Sequence, residues 1–491
     1  MTKHQRDPSL MDANAPVTET ITRSLIDGIL LLPDQDFKTL YLKETFLSKF
    51  VSDDTDPADL RRQRAIEKWL DVERKNAETN SRLLFLDEEY NILPRLAWKT
   101  FRDKCREIIR SVLGDSPSDE SLVGAFSGGA STSRKRLASF PANKYLGQAD
   151  VTLPALDIFL RVLKIMPGWL SFAEDIDFRV VRGNVLFTVP KKTDIDRVAC
   201  KEPDINMFLQ KGVGTFIRSQ LRRVGINLND QSINRRHAYI GSLDSSLATL
   251  DLSSASDSVT IQLVAELLPP AWFHLLMELR SPSTFIDGEE HVNEMLSSMG
   301  NGFTFELESL LFYTLARATS YFEGIRGVIS VYGDDIICPR ELADPLSWVL
   351  SEFGFSVNAE KSFWTGSFRE SCGGHYNLGL DVTPFYLRKP IKRIPDVIHA
   401  ANSLRRWATA GKSPILDPQV FPLWKMLADL VPREFWGGRD TSSITQLVSP
   451  GSPRKKLVSV IKRKRLSDRQ VKGSYVHWLN TTWVRENASP E

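Results

Sequence analysis

Cysteine is scarce in this chain: Cys105, Cys200, Cys338 and Cys372 are the only four in 491 residues, and no CxxC spacing occurs. That argues against a zinc ribbon and a disulfide framework, and it sets the expectation of a reducing compartment. Long apolar runs are missing too. Nowhere do about 18 apolar residues follow one another, so no membrane span is expected. The first residues, MTKHQRDPSL, lack the apolar core of a secretory signal. The seven histidines show no HExxH or other metal spacing. Net charge is only +2, which by itself points to no polyanionic partner.

What is present is an ordinary globular composition, 42% hydrophobic and 25% charged, long enough to bury a sizeable core. The charge is unevenly placed. Between Arg454 and Lys472 stand nine basic residues and one acid, a segment suited to a polyanion or to a solvated surface. A second basic stretch, LRRQRAIEKWLDVERK from Leu60, is diluted by acids and is expected as an amphipathic helix. Apolar spacing predicts a helix from Ile205 to about Val224 and another from about Thr304. FRVVRGNVLFTVP is expected as two strands joined at Arg182-Gly-Asn. Strands alternate with helices in the middle third, with helical material on both sides, so the class is α+β.

The chemistry gathers around four stretches. SVYGDDIICP (330–339) is expected as a hairpin, because Gly333 and Asp334 accept the positive φ of a tight turn. An isolated GDD is a polar turn more often than a site. Here Val331, Tyr332, Ile336 and Ile337 are apolar on both parities, which implies a strand covered on both faces and acids held at a buried tip. LATLDLSSASDS (247–258) ends an apolar strand at Asp251 and adds Asp257 after five intervening residues. Pairing Asp251 with Asp334 and Asp335 gives hard oxygen ligands, which suit Mg²⁺ rather than zinc. SSMGNGFTFELESL (297–310) opens a helix with a Gly-rich loop, where Asn301 offers both a donor and an acceptor. VPKKTDIDR (189–197) carries Lys191, Lys192 and Arg197 in a loop suited to phosphate oxygens.

Taken in order, the basic loop, the Asp-rich strand end, the Gly-rich loop, the YGDD hairpin and a following lysine resemble motifs F, A, B, C and D of viral RNA-dependent RNA polymerases. LNDQSIN, DLSSASDS, SSMGNGFTFELESL, VYGDDII, FRESCGGHY and DVTPFY resemble, more narrowly, the replicase catalytic subunits of the small positive-strand RNA bacteriophages. GGASTSRKR near residue 130 is similar to that family's fingers segment. The resemblance runs from about residue 124 to 388.

It implies a right-hand polymerase of α+β class, with a palm (a small antiparallel sheet backed by helices), fingers and thumb. The implied division is 1–75 as an N-terminal helical extension, 76–240 as fingers, 241–380 as palm and 381–491 as thumb with the basic segment. Asp251 and Asp334 would hold two Mg²⁺ ions, for which Mn²⁺ could substitute, with Asp335 supporting or ligating one. Lys361 would protonate departing pyrophosphate, and Lys191, Lys192 and Arg197 would meet the triphosphate. Asp257 would lie near the ribose 2′-hydroxyl, with Asn301 nearby. Arg369 in FRESCGGHY, and Arg134 with Lys135 in the fingers segment, would contact RNA. The family further implies primer-independent initiation and an RNA template and product. It also implies host elongation factors Tu and Ts with a ribosomal protein, and the cytoplasm of an infected bacterium.

Three rivals share parts of this pattern. Reverse transcriptases carry a paired-acid hairpin but usually follow the first motif's acid with a bulky aromatic, whereas SSAS follows Leu252 here. A metal-dependent nuclease has no need of the basic triphosphate loop or of Lys361. An RNA-binding structural protein would explain the basic segment and leave the buried acids unexplained.

Overall fold

The computed structural model describes residues 20–51, 56–409, 417–452 and 467–487, with side chains to 480. By packing, the chain divides into two units. Of the described residues, the smaller takes in 20–51, 56–61, 190–195, 380–409 and 417–452, and the larger takes in 62–189, 196–379 and 467–487.

The smaller unit is helical. Helices Thr20–Leu30 and Phe37–Thr45 share one core with Ile394–Thr409 and Phe421–Ala428, through Leu25, Ile29, Leu42 and Phe46 against Val397, Ile398, Leu404 and Leu427. Asp36 caps the second helix by accepting the Thr39 N–H at 2.7 Å, as a short acceptor preceding a helix should. Residues 25–46 and 385–447 therefore build one core.

A helix runs without interruption over Ala58–Leu84. The expected boundary at 75/76 thus falls inside it, because no glycine or proline breaks the amphipathic repeat. The strands expected around Arg182 form, as Ile176–Val180 and Gly183–Pro190, but they do not pair with each other. The first lies parallel to Gly147–Val151 and the second parallel to Ser283–Ile286.

The elements that carry the site follow. Helix α1 (Asp204–Arg223) and helix α2 (Ser232–Asp244) precede strand β1 (Leu247–Leu250). Helix α3 spans Thr304–Phe322, strands β2 and β3 span Ser330–Tyr332 and Asp335–Pro339, and β4 (Phe368–Ser371) pairs with β5 (Gly374–Asn377). Helix α4 (Asp468–Asn487) closes the described chain. Strands β2, β3 and β1 make a three-stranded antiparallel sheet with β3 in the middle, in register Val331↔Ile336 and Ile336↔Leu250.

Helix α3 is the hub of the larger unit. It is buried nearly all round, which its sequence permits because apolar residues such as Leu307, Leu310, Phe312 and Tyr313 occur on every face. Each such leucine, fully buried, contributes about 1.5–3 kcal/mol relative to exposure. The class is α+β, as expected. Among the described residues, no helix is long and apolar enough to cross a membrane.

Candidate active site

The GDD turn is seated on α3. Tyr332 pairs with Asp335, leaving Gly333 and Asp334 as the two turn residues. Gly333 has φ +61°, a left-handed conformation that costs an L side chain energy. Space forbids a side chain as well: a Cβ there would lie 2.5 Å from Cε2 of Phe305 and 3.0 Å from Oε1 of Glu308. The Gly333 N–H donates to Oγ of Ser309 at 3.0 Å. Phe305, Glu308 and Ser309, all on α3, therefore form the floor beneath the turn.

Two of the three aspartates, Asp251 and Asp335, are held from different sides. Asp251 stands one residue beyond the Leu250–Ile336 pair, which brings it beside the start of β3. Its Oδ2 accepts Nδ2 of Asn358 at 2.9 Å, and its N–H donates to Oγ of Ser362 at 3.0 Å. Asp335 accepts at Oδ1 from the Cys372 N–H at 3.0 Å and from the Ser371 hydroxyl at 3.1 Å. The β4–β5 hairpin thereby fixes the orientation of an acid on another sheet. Asn234 of α2 donates to the Asp335 carbonyl at 3.1 Å and accepts from the Ser330 hydroxyl at 2.6 Å, tying β2 and β3 to that helix.

The electrostatics of the cluster are those of crowded acids. Burial, then Asp335 and Asp251, push the Asp334 carboxyl up to about 6, while Lys361 acts in the opposite direction. Asp335 is raised chiefly by burial, against the stabilising bonds from Cys372 and Ser371. Glu308 lies well above the ordinary carboxylate range, through burial and then the charges of Asp334, Asp257 and Glu306. Among the described residues no three His, Cys, Asp or Glu side chains converge closely enough to enclose an ion by themselves. Hard carboxylate oxygens that leave further positions to phosphate oxygens are the donor set Mg²⁺ takes in phosphoryl-transfer sites, so the residues fit that ion.

The remaining candidate residues are more dispersed. Lys361 is exposed and follows Asn358, whose side chain holds Asp251. Asp257 is half-buried in a short 3₁₀ turn, its carbonyl accepting Nδ2 of Asn76 at 2.8 Å. Asn301 is 8% exposed, its Oδ1 accepting the Phe303 N–H at 3.0 Å and its Nδ2 without a partner among the described residues. It lines a cavity of about 410 Å³ together with Phe187, Lys211, Arg218 and Phe305. Lys191 and Lys192 are exposed and belong to the smaller unit, while Arg197 is exposed on strand Asp196–Lys201 of the larger.

The three residues expected to touch RNA differ in their surroundings. Lys135 is exposed. Arg134 is half-buried and joins Asp204 at 2.9 Å and the Leu146 carbonyl at 3.0 Å. Arg369 is fully buried, its Nε donating to the Leu247 carbonyl at 2.6 Å and its Nη1 to the carbonyls of Phe368 and Gly366 at 2.7 and 2.9 Å. As placed, both arginines are committed to protein groups. The basic segment from Arg454 lies outside the described residues up to 466.

Sequence reasoning missed the residues that hold the acids: Asn358, Ser362, Ser371 and Cys372. It also missed Glu308, for which the signal was an acid shortly before the apolar run Leu310-Leu311-Phe312-Tyr313 of the same helix.

Residues 18–485 match the family model described as RNA replicase, beta-chain. The chain is similar to the RNA-directed RNA polymerase beta chain of Enterobacteria phage GA, 41% identical over 462 residues and covering 92% of this chain and 86% of that one. Its counterpart from Escherichia phage MS2 is 40% identical over 477 residues, covering 91% and 86%. The RNA-directed RNA polymerase subunit beta of Qbeta virus (strain MX1) is 38% identical over 482 residues, covering 94% and 79%.

Proposed function

The chain belongs to the RNA replicase beta-chain family and is an RNA-directed RNA polymerase; we propose that its GDD turn catalyses nucleotidyl transfer with two metal ions. The observation that carries this reading is geometric: Asp334 stands at the tip of a turn seated on α3, with Asp335 fixed beside it by Ser371 and Cys372 and Asp251 one residue beyond the paired strand, a cluster whose repulsion a divalent cation relieves.

Asp251 and Asp334 would hold the ions, and Asp335, fixed by Ser371 and Cys372, supports them. Mg²⁺ held there, or Mn²⁺ in its place, would supply Lewis acidity toward an attacking 3′-hydroxyl and charge neutralisation for the triphosphate. Lys361 gives its proton to the departing pyrophosphate. Lys191, Lys192 and Arg197 receive the triphosphate through charge-assisted bonds. Asp257 reads the ribose 2′-hydroxyl, and Asn301 positions the nucleotide. Lys135 meets the RNA backbone directly, while Arg134 and Arg369 shape the segments that do so.

The sequence of the product comes from pairing with the template, while the protein holds backbones by charge and shape. In this reading synthesis starts without a primer in the cytoplasm of the infected bacterium, with host elongation factors Tu and Ts and a ribosomal protein as partners. The three-stranded sheet is the palm. A Mg²⁺-dependent synthesis assay on an RNA template, with and without host extract, tests chemistry and partner dependence together. Synthesis that persists in full after chelation of divalent cations would sink the metal assignment.

A further inference from the structure

The helix over Ala58–Leu84 turns polar side chains inward along one face. Glu73, Asn76 and Asn80 stand three and four residues apart, and Glu73 and Asn76 are only 2% and 3% exposed. None of them has a part in the scheme above. Burying polar groups carries a desolvation cost that apolar side chains on the same face would avoid, so the bonds they make decide their use.

Nδ2 of Asn76 donates to the Asp257 carbonyl at 2.8 Å and to Oε1 of Glu73 at 2.9 Å. The same Oε1 accepts the Met295 N–H at 3.0 Å, while Oε2 accepts the Glu294 N–H at 2.8 Å and lies 2.9 Å from Nε2 of His291. The turn that bears Asp257 and the segment that leads into the Gly-rich loop therefore hang from one buried carboxylate. They also join each other, since the Leu296 N–H donates to the Val259 carbonyl at 2.7 Å and Thr260 pairs with Met295. Asn301 stands five residues beyond Leu296. Asn80 donates to the Glu294 carbonyl and accepts the Gln262 N–H, each at 2.9 Å, so of the three polar residues Asn76 is the one that reaches the Asp257 turn.

Asp257 sits in a 3₁₀ turn of only three residues, Ser256–Ser258. A bond of 2.8 Å to its carbonyl fixes the plane of the peptide that follows it, and with that plane the direction of its side chain. We propose that Asn76 is a positioning residue for the incoming nucleotide: it sets Asp257 toward the substrate, and Glu73 aims its amide. This rests on the nucleotide site proposed above. Glu73 and Asn76 touch no nucleotide themselves, and their effect reaches the substrate through Asp257.

The test is a double-mutant cycle on the full chain in the host extract that supports its synthesis. KM and kcat for ATP and 2′-deoxy-ATP are measured by single-nucleotide addition on a primed RNA template. Asn76→Leu nearly keeps the volume and removes the amide. KM for ATP should rise roughly 10-fold, the weight of one buried bond, with kcat within about 3-fold of the unmodified chain. KM for 2′-deoxy-ATP, which lacks the hydroxyl assigned to Asp257, should move less than about 2-fold. Asp257→Ala should raise KM for ATP in the same way. On that background Asn76→Leu should add almost nothing, because both changes remove one interaction. Effects that multiply in the double variant, or a lower kcat with KM unchanged, would make Asn76 a brace for the fold and overturn the proposal.

Should Asn76→Leu fail to melt cooperatively, Glu73→Gln decides. Its amide nitrogen faces N–H donors, so one tether is lost while the size of the side chain is kept. KM for ATP should rise at least about 3-fold, and that rise should vanish on the Asp257→Ala background. An unchanged KM, or a rise that persists there, overturns the proposal. If Asp257→Ala itself leaves KM for ATP as it was, the proposal falls together with the nucleotide-binding role of Asp257. If Asp257→Ala raises KM and Asn76→Leu does not, the proposal falls alone and the nucleotide site stands. An extract-supplemented chain that adds no nucleotide at all removes the polymerase site itself, and the proposal with it.

Discussion

Cys372 donates its backbone N–H to Oδ1 of Asp335 across 3.0 Å, from a residue that itself holds a left-handed φ of +50°. The Ser371 hydroxyl reaches the same oxygen. One carboxylate oxygen is thus fixed by a hairpin about 37 residues further along the chain, and its orientation depends on the packing of β4 and β5.

Ser371→Ala removes the hydroxyl and keeps the backbone bond. Nucleotide addition at saturating Mg²⁺ should fall about 3- to 10-fold, the usual weight of one side-chain bond, and the Mg²⁺ concentration for half-maximal rate should rise. A magnesium titration of both proteins checks this.

Asp334→Asn keeps the size of the side chain and removes its charge. Incorporation on a primed RNA template should drop by at least roughly 10²- to 10³-fold, while RNA retained on a filter stays nearly unchanged. Incorporation near the unmodified rate would show that Asp334 holds no catalytic ion.

Gly333→Ala forces a Cβ into the left-handed region and against Phe305. The backbone alone should cost about 1–2 kcal/mol in urea unfolding, and the displaced turn should lower activity further. An alanine protein of unchanged stability would mean that α3 yields beneath the turn.

Lys144 is almost fully buried, its Nζ donating to the carbonyls of Ser127 and Gly129 at 2.9 and 2.6 Å. Burial pulls its pKa down to about 8, with Asp204 acting in the opposite direction. Between about pH 8 and 10.5 the unfolded chain therefore binds more protons at this site than the folded one, and stability rises with pH. Measured as the difference between the unmodified chain and Lys144→Met, the gain should approach roughly 3 kcal/mol over that window. A flat difference would mean that the lysine stays charged when buried.

Much of the local structure was legible from periodicity and turn chemistry. The helix expected from Ile205 to about Val224 is Asp204–Arg223, and the helix expected from about Thr304 starts there. The two-strand hairpin around Gly333 and its buried flanks were visible because glycine admits a left-handed turn that other residues avoid, while the β-branched flanks favour strand. What was not legible is pairing at a distance. Nothing local in Phe37–Thr45 announces a core shared with residues near 400, and nothing at Arg182 tells two adjacent strands to enter different sheets. Charge misled for a related reason. Arg369 and Glu308 would be solvated if exposed, and only the surrounding sheet and helix bury them.

Helix α4 ends the described chain by packing on a segment made more than 300 residues earlier. Gly473 lies so close to the Ala142 carbonyl that a Cβ would overlap it, Tyr475 meets the Phe172 ring edge-on at 6.2 Å, and Val476 is fully buried in the main core. A ribosome making this protein therefore releases residues 142–172 long before their covering exists. Until Val476 has emerged, the nascent chain carries an apolar surface open to chaperones or to neighbouring chains. The core that carries the site is therefore closed only once residues near Val476 have been made, so no active molecule can exist before more than 300 residues have followed the segment they cover.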